Sequence, residues 1–325
     1  MFLHILCSFC VIYTLALCVQ TQSVEDEEAI DLSHLGSKLF QNPNFEFSKN
    51  LNADYPEEQG PYLQGDLLIP TGNAKNGMKS ESYRWKNGEI PYVIRGRFSS
   101  TEMSLIQNAF NQYHKSTCLK FIPRRSAQSD YVAIDNSQSG CWSSVGRVGG
   151  EQVVNLQSPG CVTKIGTVIH ELLHAVGFLH EQNREERDKF VSIINSNVRT
   201  GYEINFKKAS PGETTGYGVG YDYGSVMHYS AKAFSKNGQP TINAKQTTKE
   251  QMGQREGFSK KDIEKINKMY KCKRPTAESD PSILTSSEAP SSESSFLSNI
   301  FQAIFPSSNM DEEEMIEEQN QLLRL

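Results

Sequence analysis

Long apolar runs are scarce in this chain. Beyond the first residues, no stretch approaches the roughly 20 apolar residues of a spanning helix, so no membrane span is expected. No Asn-x-Ser/Thr sequon occurs, which removes N-glycosylation from the expectations. No internal repeat is visible. Positive charge is not in excess: the net charge is −5, so nothing points to nucleic acid as a partner. Cysteine is absent between residues 19 and 117, so no thiolate from that region can act as a metal ligand or nucleophile. Hydrophobic residues make up 37%, enough for a folded core.

What is present begins with a short apolar run from Met1 to Val19. It reads as a secretory signal peptide over residues 1–18, with Ala16-Leu17-Cys18 before the cut, although its start lacks Lys and Arg. The expected location is therefore secreted and extracellular. Cys7, Cys10 and Cys18 leave with that segment. Cys118, Cys141, Cys161 and Cys272 remain, and none of these four forms a C-x-x-C pair, which argues against a cysteine zinc site. An even number in a secreted chain suggests two disulfides, with three pairings open. Cys141 with Cys161 would close a small loop, and Cys118 with Cys272 would tie the end of the folded region to its beginning.

The most informative stretch is residues 168–181, which reads H-E-x-x-H-x-x-G-x-x-H-E. His170 and His174 are four apart, so on a helix they lie on one face, as two imidazoles must to share a metal ion. Glu171 sits beside the first ligand and can reach a water without ligating the metal. Gly177 can adopt positive φ, ending the helix and turning the chain back. His180 can then supply a third nitrogen. Three protein ligands leave one position open, the mark of a catalytic rather than a structural zinc site. An amphipathic core helix would explain Ile169, Leu172, Leu173 and Val176, but not this register of His and Glu.

Around that stretch the chain organises itself. Residues 19–75 are acidic and poor in periodicity, with an apolar island at residues 62–68 and a run of breakers at residues 70–77 around Lys75. Strands are expected at residues 89–94, 119–122, 131–134 and 152–156. Ser99-x-x-Glu102 is a capping box opening a helix that places Met103, Ile106, Phe110 and Tyr113 on one face. The metal helix should start near Ile165. A glycine- and tyrosine-rich irregular region follows His180, and a last helix starts at Ser259 with Ile263, Ile266 and Tyr270 inward and its lysines on a solvated face. Residues 273–325 form a low-complexity tail rich in Ser, Glu and Pro, expected to be disordered.

With Ser225-Val226-Met227-His228-Tyr229 added to the histidine motif, the sequence resembles the astacin family of metzincin zinc endopeptidases. Arg84-Trp85, Ile90-Pro91-Tyr92, Gly140-Cys141-Trp142-Ser143, Val145-Gly146-Arg147 and Gly253-Gln254-Arg255 look like the same family's landmarks. The resemblance implies an α/β (α+β) fold in two lobes: a twisted mixed sheet with an active-site helix, then an irregular C-terminal lobe. It implies one Zn2+ per catalytic domain, held by His170, His174 and His180, with Glu171 as general base. Tyr229 corresponds to a tyrosine that ligates zinc at rest and swings to stabilise the oxyanion. Met227 corresponds to a hydrophobic floor below the metal, and His228 is read as structural. The implied disulfides are Cys118–Cys272 and Cys141–Cys161. The strand around Trp142 resembles an edge that binds substrate backbone.

The resemblance also reads residues 19–75 as a propeptide. Leu63-Gln64-Gly65-Asp66 looks like the family's F-E-G-D stretch, with Phe and Glu replaced, and makes Asp66 the carboxylate that occupies the zinc. Counting back from Trp85 puts activation between Lys75 and Asn76, by a trypsin-like protease, with residues 76–272 as the catalytic domain. Glu181 matches a residue that contacts the new N-terminus. Arg255 looks like the pocket residue that favours acidic side chains after the scissile bond. The expected partners are protein or peptide substrates, and the chain is expected to be a monomer. A protease fold that has become an inert binding protein is the rival reading. An intact ligand set and base argue against it.

Overall fold

The structure is a computed structural model. It describes residues 54–60, 62–68, 81–209 and 215–273. The signal segment, the Lys75–Asn76 bond and the tail beyond Lys273 lie outside these residues. Among the described residues no helix is long and apolar enough to cross a membrane.

The strands in chain order are β1 (Leu67–Leu68), β2 (Glu89–Ile94), β3 (Lys120–Pro123), β4 (Tyr131–Asp135), β5 (Cys141–Ser144) and β6 (Glu151–Leu156). They form one sheet in the order β1-β5-β6-β4-β2-β3. The sheet is mixed: β5 runs antiparallel to β6, and every other neighbouring pair is parallel. A second, two-stranded antiparallel sheet joins β7 (Val191–Ile193) to β8 (Ile242–Ala244). The strand β1 comes from the N-terminal segment and lies on the free side of β5, so that edge is covered.

Helix α1 (Ser100–Ser116) opens with a complete capping box between Ser99 and Glu102, which satisfies donors that the first turn leaves orphaned. Ile106, Ala109, Phe110 and Tyr113 form its buried face, and Phe110 stacks on Phe121 of β3 at 4.7 Å between centroids. Tyr113 then reaches across, its hydroxyl donating to the Ile169 carbonyl of helix α2 (Ile165–Ala175) at 2.9 Å. Residues 166–175 of α2 are all buried, as expected of a helix enclosed by core. Helix α3 (Lys260–Met269) carries a second capping box, between Ser259 and Asp262. The solvated lysine face predicted for this helix does not include Lys265, which is 5% exposed. The reason is a buried acid: Lys265 Nζ lies 2.7 Å from Glu181.

Two apolar clusters divide the molecule. The larger joins the sheet, α1, α2 and part of α3, and includes Trp85, Phe110, Leu172, Met227 and Ile266. The smaller gathers Val191, Phe206, Tyr221, Tyr229 and Phe234 from the turn-rich region after α2. Disulfides join Cys118 to Cys272 and Cys141 to Cys161, with Cα atoms 5.4 and 5.6 Å apart. The first fastens the chain just after α3 to the start of β3.

Candidate active site

Helix α2 places His170 and His174 one turn apart on one face. It ends in a Schellman motif: the Gly177 N–H donates to the His174 carbonyl at 2.8 Å and the Phe178 N–H to the Leu173 carbonyl at 3.0 Å. Gly177 takes φ 108°, which an L side chain resists. The reversal brings His180 back over α2. All three imidazoles are buried, and Asp66 of the N-terminal segment stands among them with no exposed surface. Its Oδ2 lies 3.0 Å from His170 Nε2, 3.6 Å from His174 Nε2 and 3.1 Å from His180 Nε2.

The far nitrogen of each ring is already engaged. His170 Nδ1 meets the Val226 carbonyl at 2.8 Å, His174 Nδ1 the Phe178 carbonyl at 2.7 Å, and His180 Nδ1 the Gln64 side-chain oxygen at 2.7 Å. A carbonyl oxygen can only accept, so each Nδ1 is the protonated nitrogen and each Nε2 presents a lone pair inward. Burial pushes His170 down to about 3 and His180 below its ordinary range, which keeps them neutral. Three lone pairs and a carboxylate, all within 4.8 Å of one another, can hold a cation between them. The donor set of nitrogens plus one oxygen suits zinc. Asp66 Oδ1 and both oxygens of Glu171 are also buried with no hydrogen-bond partner among the described residues. Burial first, then the Asp66 charge, pushes the Glu171 carboxyl well above its usual range.

Residues 77–271 match the family model for Astacin, a family of peptidases. The chain belongs to the astacin family. It is therefore a zinc metalloendopeptidase. It is 37% identical to Zinc metalloproteinase nas-4 of Caenorhabditis elegans over 81% of this chain and 89% of that one. It is 46% identical to nas-13 of the same worm over 63% of this chain, but spans only 45% of that protein. Among solved structures it is similar to High choriolytic enzyme 1, a hatching enzyme zinc-protease from the medaka fish Oryzias latipes. That match has 36% identity and a TM-score of 0.55, and covers 61% of this chain and all of the other.

The remaining astacin-like positions fall around the histidines. Met227 is buried in the larger core. The Tyr229 ring lies 4.6 Å from that of His180, but its hydroxyl donates to the Gln64 backbone carbonyl. His228 is turned away, held by the Tyr221 hydroxyl and the Tyr229 carbonyl. Glu181 is not an unpaired acid. Its Oε2 meets Lys265 and its Oε1 meets Arg184 at 2.9 Å and the Asp222 N–H at 2.9 Å. Burial would raise its pKa, but Lys265 and Arg184 outweigh that and lower it. A cavity lined by His180, Glu181, Arg184, Glu186, Gly216 and Lys265 opens beside this cluster. Arg255 is buried and paired with Glu57 of the N-terminal segment at 2.6 Å.

Two further residues shape the site. Gln64 bridges His180 and Tyr229 while its own N–H donates to Asn205 Oδ1 at 2.9 Å. Asp262 accepts from the Ser225 hydroxyl and the Val226 N–H, fixing the turn whose Val226 carbonyl orients His170. The capping-box spacing of Ser259 and Asp262 is the one available signal for the latter.

Proposed function

We propose that this chain is a secreted proenzyme whose residues 19–75 hold the zinc site shut until the chain is cut after Lys75. The observation that carries this reading is the Asp66 carboxylate among the three imidazoles. An anionic oxygen there takes the coordination position that catalysis needs for water. The same segment adds β1 to β5 in parallel, with the Ser143 N–H donating to the Asp66 carbonyl at 2.9 Å. It thereby covers the edge on which a substrate backbone would pair.

When bound, zinc supplies a Lewis acid that polarises the scissile carbonyl and acidifies water. Glu171 takes the proton from the attacking water and returns it to the leaving amine. The Tyr229 hydroxyl, freed from the Gln64 carbonyl, donates to the developing oxyanion. Arg255, freed from Glu57, selects acidic side chains beside the scissile bond. The new ammonium of Asn76 enters the cavity beside Glu181, where it joins Lys265 and Arg184 around one carboxylate. The proposed order is signal 1–18, pro-segment 19–75, catalytic unit 76–272 and tail 273–325.

The test is Asp66→Asn in the full-length, zinc-loaded chain. It should hydrolyse a quenched peptide without being cut, whereas the uncut wild type should be silent. If the variant is silent at equal zinc content and stays silent when Glu57 and Glu58 are also replaced by Gln, which frees the segment's other anchor, Asp66 is not the block. N-terminal sequencing of the trypsin-activated protein should read from Asn76.

A further inference from the structure

Glu57 and Glu58 lie side by side in one 3-10 turn, Glu57–Gln59, and neither belongs to the group of Asp66 and the three histidines. They are 0% and 2% exposed. Neighbouring carboxylates in a dry site repel, so each requires its own donors. The fold provides two separate sets. Glu57 Oε1 accepts from Arg255 Nε at 2.6 Å. Glu58 gives both oxygens to a single residue: the Ser230 backbone N–H at 2.6 Å and the Ser230 hydroxyl at 2.8 Å.

These donors belong to the catalytic unit and are held there rigidly. Arg255 Nη1 donates to the carbonyls of His228 at 3.3 Å and Gln254 at 2.8 Å. The Gly166 N–H donates to the Arg255 carbonyl at 3.0 Å, and a Cβ on Gly166 would stand 2.2 Å from that oxygen. Gly253, at φ +83°, comes so near Ser230 that a Cβ would stand 2.6 Å from its Cα. Ser230 and Arg255 are thus fastened to each other and to the start of α2. Arg255 Nη2 is buried without a partner among the described residues, as is Glu57 Oε2, so the guanidinium retains an unused donor. At the rim Lys164 lies 3.3 Å from Asp54, and the Tyr55 ring lies 5.9 Å from both the Lys164 ammonium and the Arg255 guanidinium.

We infer that Ser230 and Arg255 form a binding site for two neighbouring acidic side chains, whose ligand is a peptide with two consecutive acidic residues in a tight turn. In this chain Glu57 and Glu58 fill it. The inference rests on the reading of Arg255 as a cleft residue and adds Ser230 as a second carboxylate subsite. It gives the pro-segment an anchor independent of Asp66. It also makes the released segment, or any peptide of that form, a competitor for the cleft.

The probe is the end-blocked peptide of residues 54–60, which contains neither Asp66 nor a trypsin site. It is titrated into the zinc-loaded, trypsin-activated enzyme hydrolysing a quenched peptide. Competitive inhibition is expected, and Glu58→Ala in the probe, which removes both acceptors of the Ser230 hydrogen bonds, should weaken it roughly tenfold or more. Ser230→Ala enzyme should distinguish the two probes less than wild type does, a coupling that a general loss of folding does not produce. Equal inhibition by the wild-type and Glu58→Ala probes, or none by either, overturns the site. Substrate profiling of Arg255→Glu separates the failures. A shifted acid preference with indifferent probes removes only the second subsite, and an unchanged preference removes the cleft reading beneath it.

Discussion

Glu171 offers two buried carboxylate oxygens to no partner among the described residues, in a site that excludes solvent. Burial favours its protonated form, so it accepts a proton readily and can pass it on. Glu171→Gln keeps the shape and removes the proposed base. Hydrolysis by the activated enzyme should fall about 10²- to 10⁴-fold, with zinc content by atomic absorption unchanged. Normal turnover by that variant would refute the assigned role. Tyr229→Phe removes one hydrogen-bond donor and leaves the base in place. It should lower kcat on the order of 10²-fold with little change in KM. A loss confined to KM would place the hydroxyl in substrate binding instead of the transition state.

At the scale of elements, the site depends on how α2 stops and on what α3 carries. Gly177→Ala puts a side chain at φ 108° and 2.7 Å from the Met269 methyl, which disturbs the turn that returns His180. Zinc should be lost to a chelator faster than from wild type, and dissociation as slow as wild type's would show that the turn tolerates a side chain. Lys265→Met leaves buried Glu181 with Arg184 as its one remaining cationic side chain among the described residues, and breaking a buried pair in this way typically costs about 3–5 kcal/mol. A thermal midpoint equal to wild type would contradict that. Much at this scale is legible in the sequence. The capping box at Ser99, the apolar period of α1 and the spacing of His170, His174 and His180 are local patterns, and each produces the expected element. Lys265 is not legible, because whether a lysine is buried depends on an acid many residues away. The pairing of β1 with β5 is equally hidden: two residues of strand have no periodicity to read. Gln64 can be seen as a departure from the family pattern, but not as the partner of His180 and Tyr229.

For the whole molecule, the N-terminal segment is fastened at separate points: Asp66 on the histidines, β1 on β5, and Glu57 with Glu58 on Arg255 and Ser230. These attachments respond differently to pH. Burial, followed by the charge of Glu57, raises the Glu58 pKa from 4.5 to about 7, against the opposing pull of Arg255 and the Ser230 hydrogen bonds. A group with a raised folded pKa contributes stability that is complete below its unfolded value and lost as pH rises through the folded one. Docking of Glu58 should therefore weaken from about pH 4.5 upward and level off above about pH 7, by on the order of 3 kcal/mol at most. The Glu58→Gln variant lacks the titration. In the uncut protein, the thermal midpoint of wild type minus that of Glu58→Gln should fall by several degrees between pH 5 and pH 8. A constant difference across that range would mean that Glu58 is ionised throughout, with Arg255 and Ser230 fully offsetting its burial. A falling difference would mean that mild acid keeps the segment seated and that a shift toward neutral pH loosens it for cleavage.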